Sequence, residues 1–281
     1  MNLASPKIIK ELLSKYKTRA FKGWGQNFLV NRGILKKIID SADLNPNDVV
    51  LEVGPGLGIL TQGLAKKVKM VIAVEKDKKL CEILKSVLSD IGAKNVKIIN
   101  ADILKLKIKE LIRGCKPEVE SYKVVANIPY YLTSRLIRSL LELPTPPACL
   151  ILTIQKEVAQ RICAKPPRMN LLAVCVQFYA ETKIISYISK NCFWPTPKVD
   201  SAIIKITPRK TPLPVLAENF FKVVKAGFSH PRKQIVGNLS NGLKINKEKI
   251  SACLIKNKID PSQRAETLSI KDWKNLSVLL K

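Results

Sequence analysis

Four stretches of this 281-residue chain carry residue types and spacings that suit chemistry on a nucleotide-like ligand. The run LEVGPGLGIL (51–60) brings three glycines into a turn that enters a helical pattern. Without Cβ atoms a ligand can approach the backbone closely, as nucleotide-binding loops require. A dinucleotide fingerprint needs glycines at relative positions one, three and six. Residue 59 is isoleucine and the third glycine is Gly58, so Gly54 and Gly56 open a G-x-G-x-G spacing instead. Glu75 lies 21 residues beyond Gly54, where an acid can accept hydrogen bonds from both ribose hydroxyls. Asp102, in NADIL (100–104), is placed to receive an adenine amino group. Asn127-Ile128-Pro129-Tyr130 sets an amide, two backbone carbonyls and an aromatic ring side by side. Taken singly, the glycines also fit a structural tight turn or another nucleotide, the two acids fit solvated loops, and the last motif fits a proline turn.

The elements that must position these residues are read from periodicity. Short β-branched runs at 49–53, 71–75, 96–100, 122–127, 149–154, 182–188 and 201–206 read as strands. Helical patterns fit at about 57–67, 77–91, 133–142, 156–163 and 170–179, and two more helices precede the first strand, one opened by Ser5 with Pro6 at its first position. Alternation of this kind predicts an α/β fold, a mostly parallel sheet covered by helices. The glycine loop, Glu75, Asp102 and Asn127 then all fall at strand C-termini, where open α/β sheets bind ligands. TPRKTPLP (207–214) breaks the pattern and marks a boundary. Beyond it only helical segments follow, around 213–228, 232–241, 246–256 and 270–280. The expected domains are therefore 1–206 and 207–281.

Asn127 to Tyr130 resembles the N/D-P-P-Y/F signature of methyltransferases that act on exocyclic amino groups of bases, and the G-x-G-x-G spacing resembles that of enzymes using S-adenosylmethionine. The chemistry explains the residue types. The N6 lone pair of adenine is delocalised into the ring, so it is a poor nucleophile until its N–H groups donate to placed acceptors. The Asn127 side-chain oxygen and the carbonyl of Ile128 or Pro129 are such acceptors, and Tyr130 can stack on the base.

Along nearly its whole length the chain resembles the ribosomal RNA adenine N6,N6-dimethyltransferases. The resemblance is carried by GQNFL (25–29), LEVGPGLGILT (51–61), NIPYYLTS (127–134), QKEVAQRICAKP (155–166), FWPTPKVDSAII (193–204), FSHPRKQIVGNL (228–239) and RAETLS (264–269). Among the branches it is most similar to the bacterial small-subunit enzymes, which dimethylate two adjacent adenosines in the 3′-terminal hairpin of 16S rRNA. The macrolide-resistance type, acting on large-subunit rRNA, shares part of the pattern, and a non-catalytic assembly factor would keep the basic surface without the pocket. The resemblance implies a Rossmann-like class I methyltransferase sheet with helices on both faces and a small helical RNA-binding domain. It implies S-adenosylmethionine as cofactor, 16S rRNA in a small ribosomal subunit or its precursor as partner, no metal, and a monomer. It places Asn27 and Leu29 at the methionine end, Gly54 near the sulfonium, Gly56 in the cofactor-binding loop, Glu75 at the ribose, Asp102 at the adenine, and Asn127 against both cofactor and target. Phe193 resembles the aromatic that packs the target base opposite Tyr130, although Phe193 or Trp194 beside two prolines also suits a core wedge. The segment 165–177 lacks the Gly, Tyr and Ser usual in the family. His230-Pro231 stands where another basic residue is frequent, leaving Arg232 and Lys233 as the phosphate contacts.

Composition agrees with this direction. Apolar residues make up 46% and charged residues 25%, as in an ordinary globular protein. Lys and Arg number 49 against 22 Asp and Glu, a net charge of +27, and such a field attracts polyanions, nucleic acid first among them. The longest uncharged window, Leu143 to Gln155, contains three prolines and cannot span a membrane. The N-terminus interleaves basic and apolar residues and is no secretory signal, so a cytoplasmic protein is expected. The seven cysteines are scattered and read as mostly buried small residues, and His230 is the single histidine, so a His/Cys metal site or a Ser-His-Asp triad has little to work with.

Overall fold

A computed structural model of the chain describes residues 3–21, 23, 25–115, 121–209 and 215–280. Helix α1 (Pro6–Lys15) starts at a proline whose fixed φ suits a helical first turn, and Ser5 precedes it without a side-chain cap bond. Strand β1 (Phe28–Leu29) leads to α2 (Arg32–Ser41), capped by the Asn31 side chain, which accepts from Ile34 N–H at 2.9 Å. Then follow β2 (Val49–Val53), α3 (Ile59–Ala65), β3 (Met70–Glu75), α4 (Lys78–Asp90), β4 (Val96–Asn100), α5 (Ile108–Cys115), β5 (Lys123–Asn127), α6 (Thr133–Leu141) and β6 (Cys149–Gln155). After α7 (Lys156–Ile162) and α8 (Leu171–Tyr179) come β7 (Ala180–Ile188), β8 (Phe193–Trp194) and β9 (Ser201–Pro208).

Seven strands form one sheet in the order β4-β3-β2-β5-β6-β9-β7. β2 pairs in parallel with β3 and β5, β3 with β4, and β5 with β6, while β9 runs antiparallel to β6. The fold is α/β with a Rossmann-like sheet. At its centre both faces are covered: the consecutive residues Val50 and Leu51, which point to opposite faces, are equally buried. The winding reverses between β2 and β5, the switch point beyond whose strand ends a crevice opens. β1 and β8 make a separate antiparallel ribbon, pairing Phe28 with Trp194 and Leu29 with Phe193. Neither two-residue strand is visible in the sequence pattern.

The chain packs as two units, one running to Ala159 and including Lys183–Pro208, the other comprising Gln160–Thr182 and the chain from Arg209. The expected division at 206/207 therefore needs correction. The segment 160–182 joins the C-terminal part because α8 carries apolar residues around most of its circumference. Met169, Ala173, Val174 and Phe178 share a core with α9 (Ala217–Gly227), α10 (Ile235–Leu243), α11 (Lys247–Lys256) and α12 (Ile270–Leu279). At its centre the Phe178 and Phe220 ring centroids stand 4.3 Å apart and Trp273 is fully buried. Residues 210–214 of the proline-rich boundary lie outside the described residues. Of the described cysteine side chains only Cys81 and Cys149 are buried, and Cys163, Cys175, Cys192 and Cys253 are half-buried, fewer in the core than expected. No helix of the described residues is long and apolar enough to cross a membrane.

Candidate active site

In the first unit a cleft with about 1180 Å³ of empty space, counting its open mouth, lies at the carboxyl ends of β2 to β5. Asn27, Leu29, Gly54, Gly56, Glu75, Asp102, Asn127, Ile128, Pro129, Tyr130 and Phe193 all line it. Arg232 and Lys233 belong to the second unit and are exposed on the turn before α10.

The glycine loop is shaped by its own backbone. Gly54 has φ +69°, a left-handed angle that favours glycine, while a Cβ there would sit 3.5 Å from Pro129 Cδ in ordinary contact, so the backbone angle and not crowding calls for glycine. Gly58, at φ +90°, starts α3, and a Cβ there would meet Leu84 Cδ1 at 2.5 Å. Between them the Gly56 N–H donates to Glu75 Oε2 at 3.1 Å, while the Asp77 N–H donates to Glu75 Oε1 at 3.0 Å. Glu75 thus ties the loop to the end of β3. A carboxylate has about four acceptor sites, so both oxygens can still receive hydroxyl donors. Burial pushes its carboxyl above the usual range, and these two N–H groups oppose that shift.

Asp102 begins a 3₁₀ turn with its Oδ1 accepting from Leu104 N–H at 3.1 Å, and its Oδ2 pairs with Lys76 Nζ at 3.1 Å. Burial disfavours its charge, but the ammonium and the N–H outweigh that and hold the carboxyl below its ordinary value. Asn100 braces the neighbouring strand end by donating to the carbonyls of Glu75 and Lys76 at 3.0 and 3.1 Å.

On the other wall, Asn127 Nδ2 donates one of its two hydrogens to the Asn27 carbonyl at 3.2 Å, which orients the amide, and Oδ1 is its acceptor atom. Leu132 N–H donates to the Pro129 carbonyl at 3.0 Å, so Ile128 offers the less committed backbone acceptor among the described residues. The Tyr130 hydroxyl and Ser201 Oγ are 2.9 Å apart, fixing the ring, and burial raises the phenol above its ordinary pKa. Phe193 lines the cleft and, at 3% exposed, packs in the core with Leu29 of β1, as a core wedge would.

Three contributors were not legible as site residues. Glu52, in the middle of β2, is 1% exposed, lines the cleft, and its Oε2 has no hydrogen-bond partner. Burial raises its pKa from 4.5 to about 8, and the charge of Glu75 adds to the shift. A lone acid inside VVLEV was the available signal. Asp77 caps α4 through Lys79 N–H at 2.9 Å and receives Gln26 Nε2 at 3.0 Å, which anchors the GQNFL segment beside the cleft. Tyr131, 60% exposed, stands at the rim.

An orphaned buried acceptor, an acid at each of two further strand ends and a close-approach glycine loop suit a ligand that is cationic at one end and carries a ribose and an adenine at the other.

A sequence model of the family described as Ribosomal RNA adenine dimethylase matches residues 17–281. The chain is 44% identical over 269 residues to Ribosomal RNA small subunit methyltransferase A of Dehalococcoides mccartyi, covering 95% of this chain and 90% of that one. It is 40% identical over 284 residues to the protein of the same name from Geobacillus kaustophilus, covering 98% and 96%. Among solved structures it is similar to the 23S rRNA methyltransferase ErmE, with TM-score 0.74 and 29% identity over 90% of this chain and 99% of that one. A dimethyladenosine transferase from Plasmodium falciparum gives TM-score 0.73 and 26% identity, covering 89% and 95%.

Proposed function

The chain belongs to the ribosomal RNA adenine dimethylase family, and from that premise we propose that it transfers methyl groups from S-adenosylmethionine to N6 of two adjacent adenosines in the 3′-terminal hairpin of 16S rRNA. The product is N6,N6-dimethyladenosine, and the substrate is the rRNA within a small ribosomal subunit or its precursor. The observation that carries this reading is that Asn127 to Tyr130 border the same cleft as Gly54, Glu75 and Asp102. An amine-activating motif therefore faces a nucleoside-binding wall. Relatives named for the small subunit stand nearer in sequence than the 23S enzyme ErmE, which favours 16S over large-subunit rRNA. The lining residues all come from the first unit, and we take the protein to act as a monomer in the cytoplasm.

When bound, S-adenosylmethionine supplies a methyl group already activated on a sulfonium, so the protein has only to orient and polarise. Glu75 accepts from the ribose hydroxyls and Asp102 from the adenine amino group. The partnerless Glu52 oxygen answers the positive methionine end beside Asn27 and Leu29, with Gly54 and Gly56 keeping the wall low. The target adenosine leaves its stack to reach the cleft. Its N6–H groups donate to Asn127 Oδ1 and the Ile128 carbonyl, which localises the nitrogen lone pair. Tyr130, held through Ser201, stacks on the base, and Phe193 closes the opposite side. The surplus proton on the methylated nitrogen leaves to water, and no side chain need titrate.

The test is mass spectrometry of rRNA from cells that lack and then regain the chain. N6,N6-dimethyladenosine in 16S rRNA should vanish and return. Its appearance in 23S rRNA alone would assign the chain to the large-subunit type, and no change in either would leave an assembly role.

A further inference from the structure

Helix α1 lies against the cleft by its apolar face. Ile9, Leu12 and Leu13 cluster with Phe28, Leu57, Leu80 and Ile83, and Leu3 and Ile9 reach the lining. The opposite face exposes Lys7, Lys10 and Lys15, with Glu11 as the helix's single acid, and the chain continues into exposed Lys17 and Arg19. None of the three helical lysines is in an ion pair among the described residues. Aromatic rings are interleaved with this strip: Lys10 Nζ is 5.8 Å from the centroid of Trp194, the neighbour of Phe193, and the Arg19 guanidinium is 5.7 Å from that of exposed Phe21. Cations in no ion pair, two of them beside rings, on the outer face of a helix whose inner face reaches the cleft are the makings of a nucleic-acid contact.

We propose that the outer face of α1, through Lys7, Lys10 and Lys15, is an RNA-binding surface that grips backbone phosphates of the segment flanking the target adenosine. This rests on the rRNA reading above and extends the grip beyond Arg232 and Lys233 of the other unit. The family pattern begins at residue 17, so the three lysines lie outside it. A bilayer is the poorer partner, since a membrane-surface helix needs a free apolar face and that of α1 is buried. The alternative of an acidic protein is an outcome of the test.

The experiment measures affinity for undermethylated small ribosomal subunits against salt, for the wild-type chain and for the Lys7→Gln, Lys10→Gln, Lys15→Gln variant. Each phosphate released from a lysine flattens the log–log slope by roughly 0.7–0.9, so the variant should lose roughly 2–3 in slope. The triple Lys→Arg variant should keep the wild-type slope. Calorimetric affinity for S-adenosylmethionine should be unchanged, which shows α1 still seated. Should the triple variant loosen the helix, Lys7→Gln alone, with no ring nearby, should lose about one unit of slope or less. An unchanged slope with intact cofactor binding overturns the proposal and turns the strip toward an acidic protein. Wild-type chain that fails to bind the subunits overturns this proposal and the rRNA reading together.

Discussion

Replacing Asn127 with alanine should slow methyl transfer without weakening RNA binding. In the structure one hydrogen of the amide nitrogen goes to the Asn27 carbonyl at 3.2 Å, which orients the group, and the oxygen is the atom that can accept from an N6–H donor. A hydrogen bond from N6 to that oxygen strengthens as the nitrogen becomes tetrahedral, and so belongs to the transition state more than to the ground state. Removing one preorganised polar group of this kind costs about 10²–10³ in rate, or about 2.7–4 kcal/mol. Loss of the bond to Asn27 should cost a further ~0.5–1.5 kcal/mol, but in folding stability, where a melting curve reads it separately. RNA affinity should hold, because phosphate contacts dominate it. Single-turnover transfer of labelled methyl to undermethylated small subunits, with cofactor and subunits saturating, isolates the chemical step. A wild-type rate for Asn127→Ala would refute the reasoning and leave the motif as a turn.

Three further outcomes follow from the same geometry. Glu75→Ala leaves the Gly56 and Asp77 N–H groups without their acceptor and removes the ribose contact, so calorimetry should show cofactor affinity weaker by roughly 1–3 kcal/mol; an unchanged Kd removes Glu75 from the site. Because burial holds the Glu52 carboxyl at about 8 against 4.5 when unfolded, the folded chain retains a proton that the unfolded chain releases, and stability falls as pH rises across that window. Glu52→Gln should lessen this slope in denaturant titrations from about pH 5 to 8, and an undiminished slope contradicts the assignment. Arg232→Ala with Lys233→Ala should flatten the salt dependence of RNA binding while cofactor affinity stays; an unchanged slope means those side chains do not touch phosphates.

Much of the fold is legible in the chain because the strands are short apolar, β-branched runs, unbroken where both faces are buried as in β2. β2, β4 and β9 start at the residues where their apolar runs begin, and β6 and β9 carry on into Gln155 and Pro208. Elements set by tertiary pairing are not legible. β1 and β8 are two residues each and exist because Leu29 and Phe193 meet across 164 positions of chain, with no periodic signal in either. α5 is missed because Lys107, which precedes it, offers no capping side chain to mark its start. The mixed allegiance of 160–182 escapes for a related reason: α8 is too uniformly apolar for its sequence to say which core it enters. At the cleft, motif residues on turns are legible by type, whereas Glu52 is hidden by the run that buries it.

The central claim is that this cleft dimethylates two adjacent adenosines of 16S rRNA. Purified chain, labelled S-adenosylmethionine and ribosomal subunits lacking the modification, small and large in parallel, followed by mass spectrometry of the digested rRNA, test it most directly. Two N6,N6-dimethyladenosines, side by side in the 3′-terminal hairpin of 16S rRNA and absent from 23S rRNA, are predicted. Label confined to 23S rRNA, or no label transferred by a chain that binds the cofactor, would contradict it.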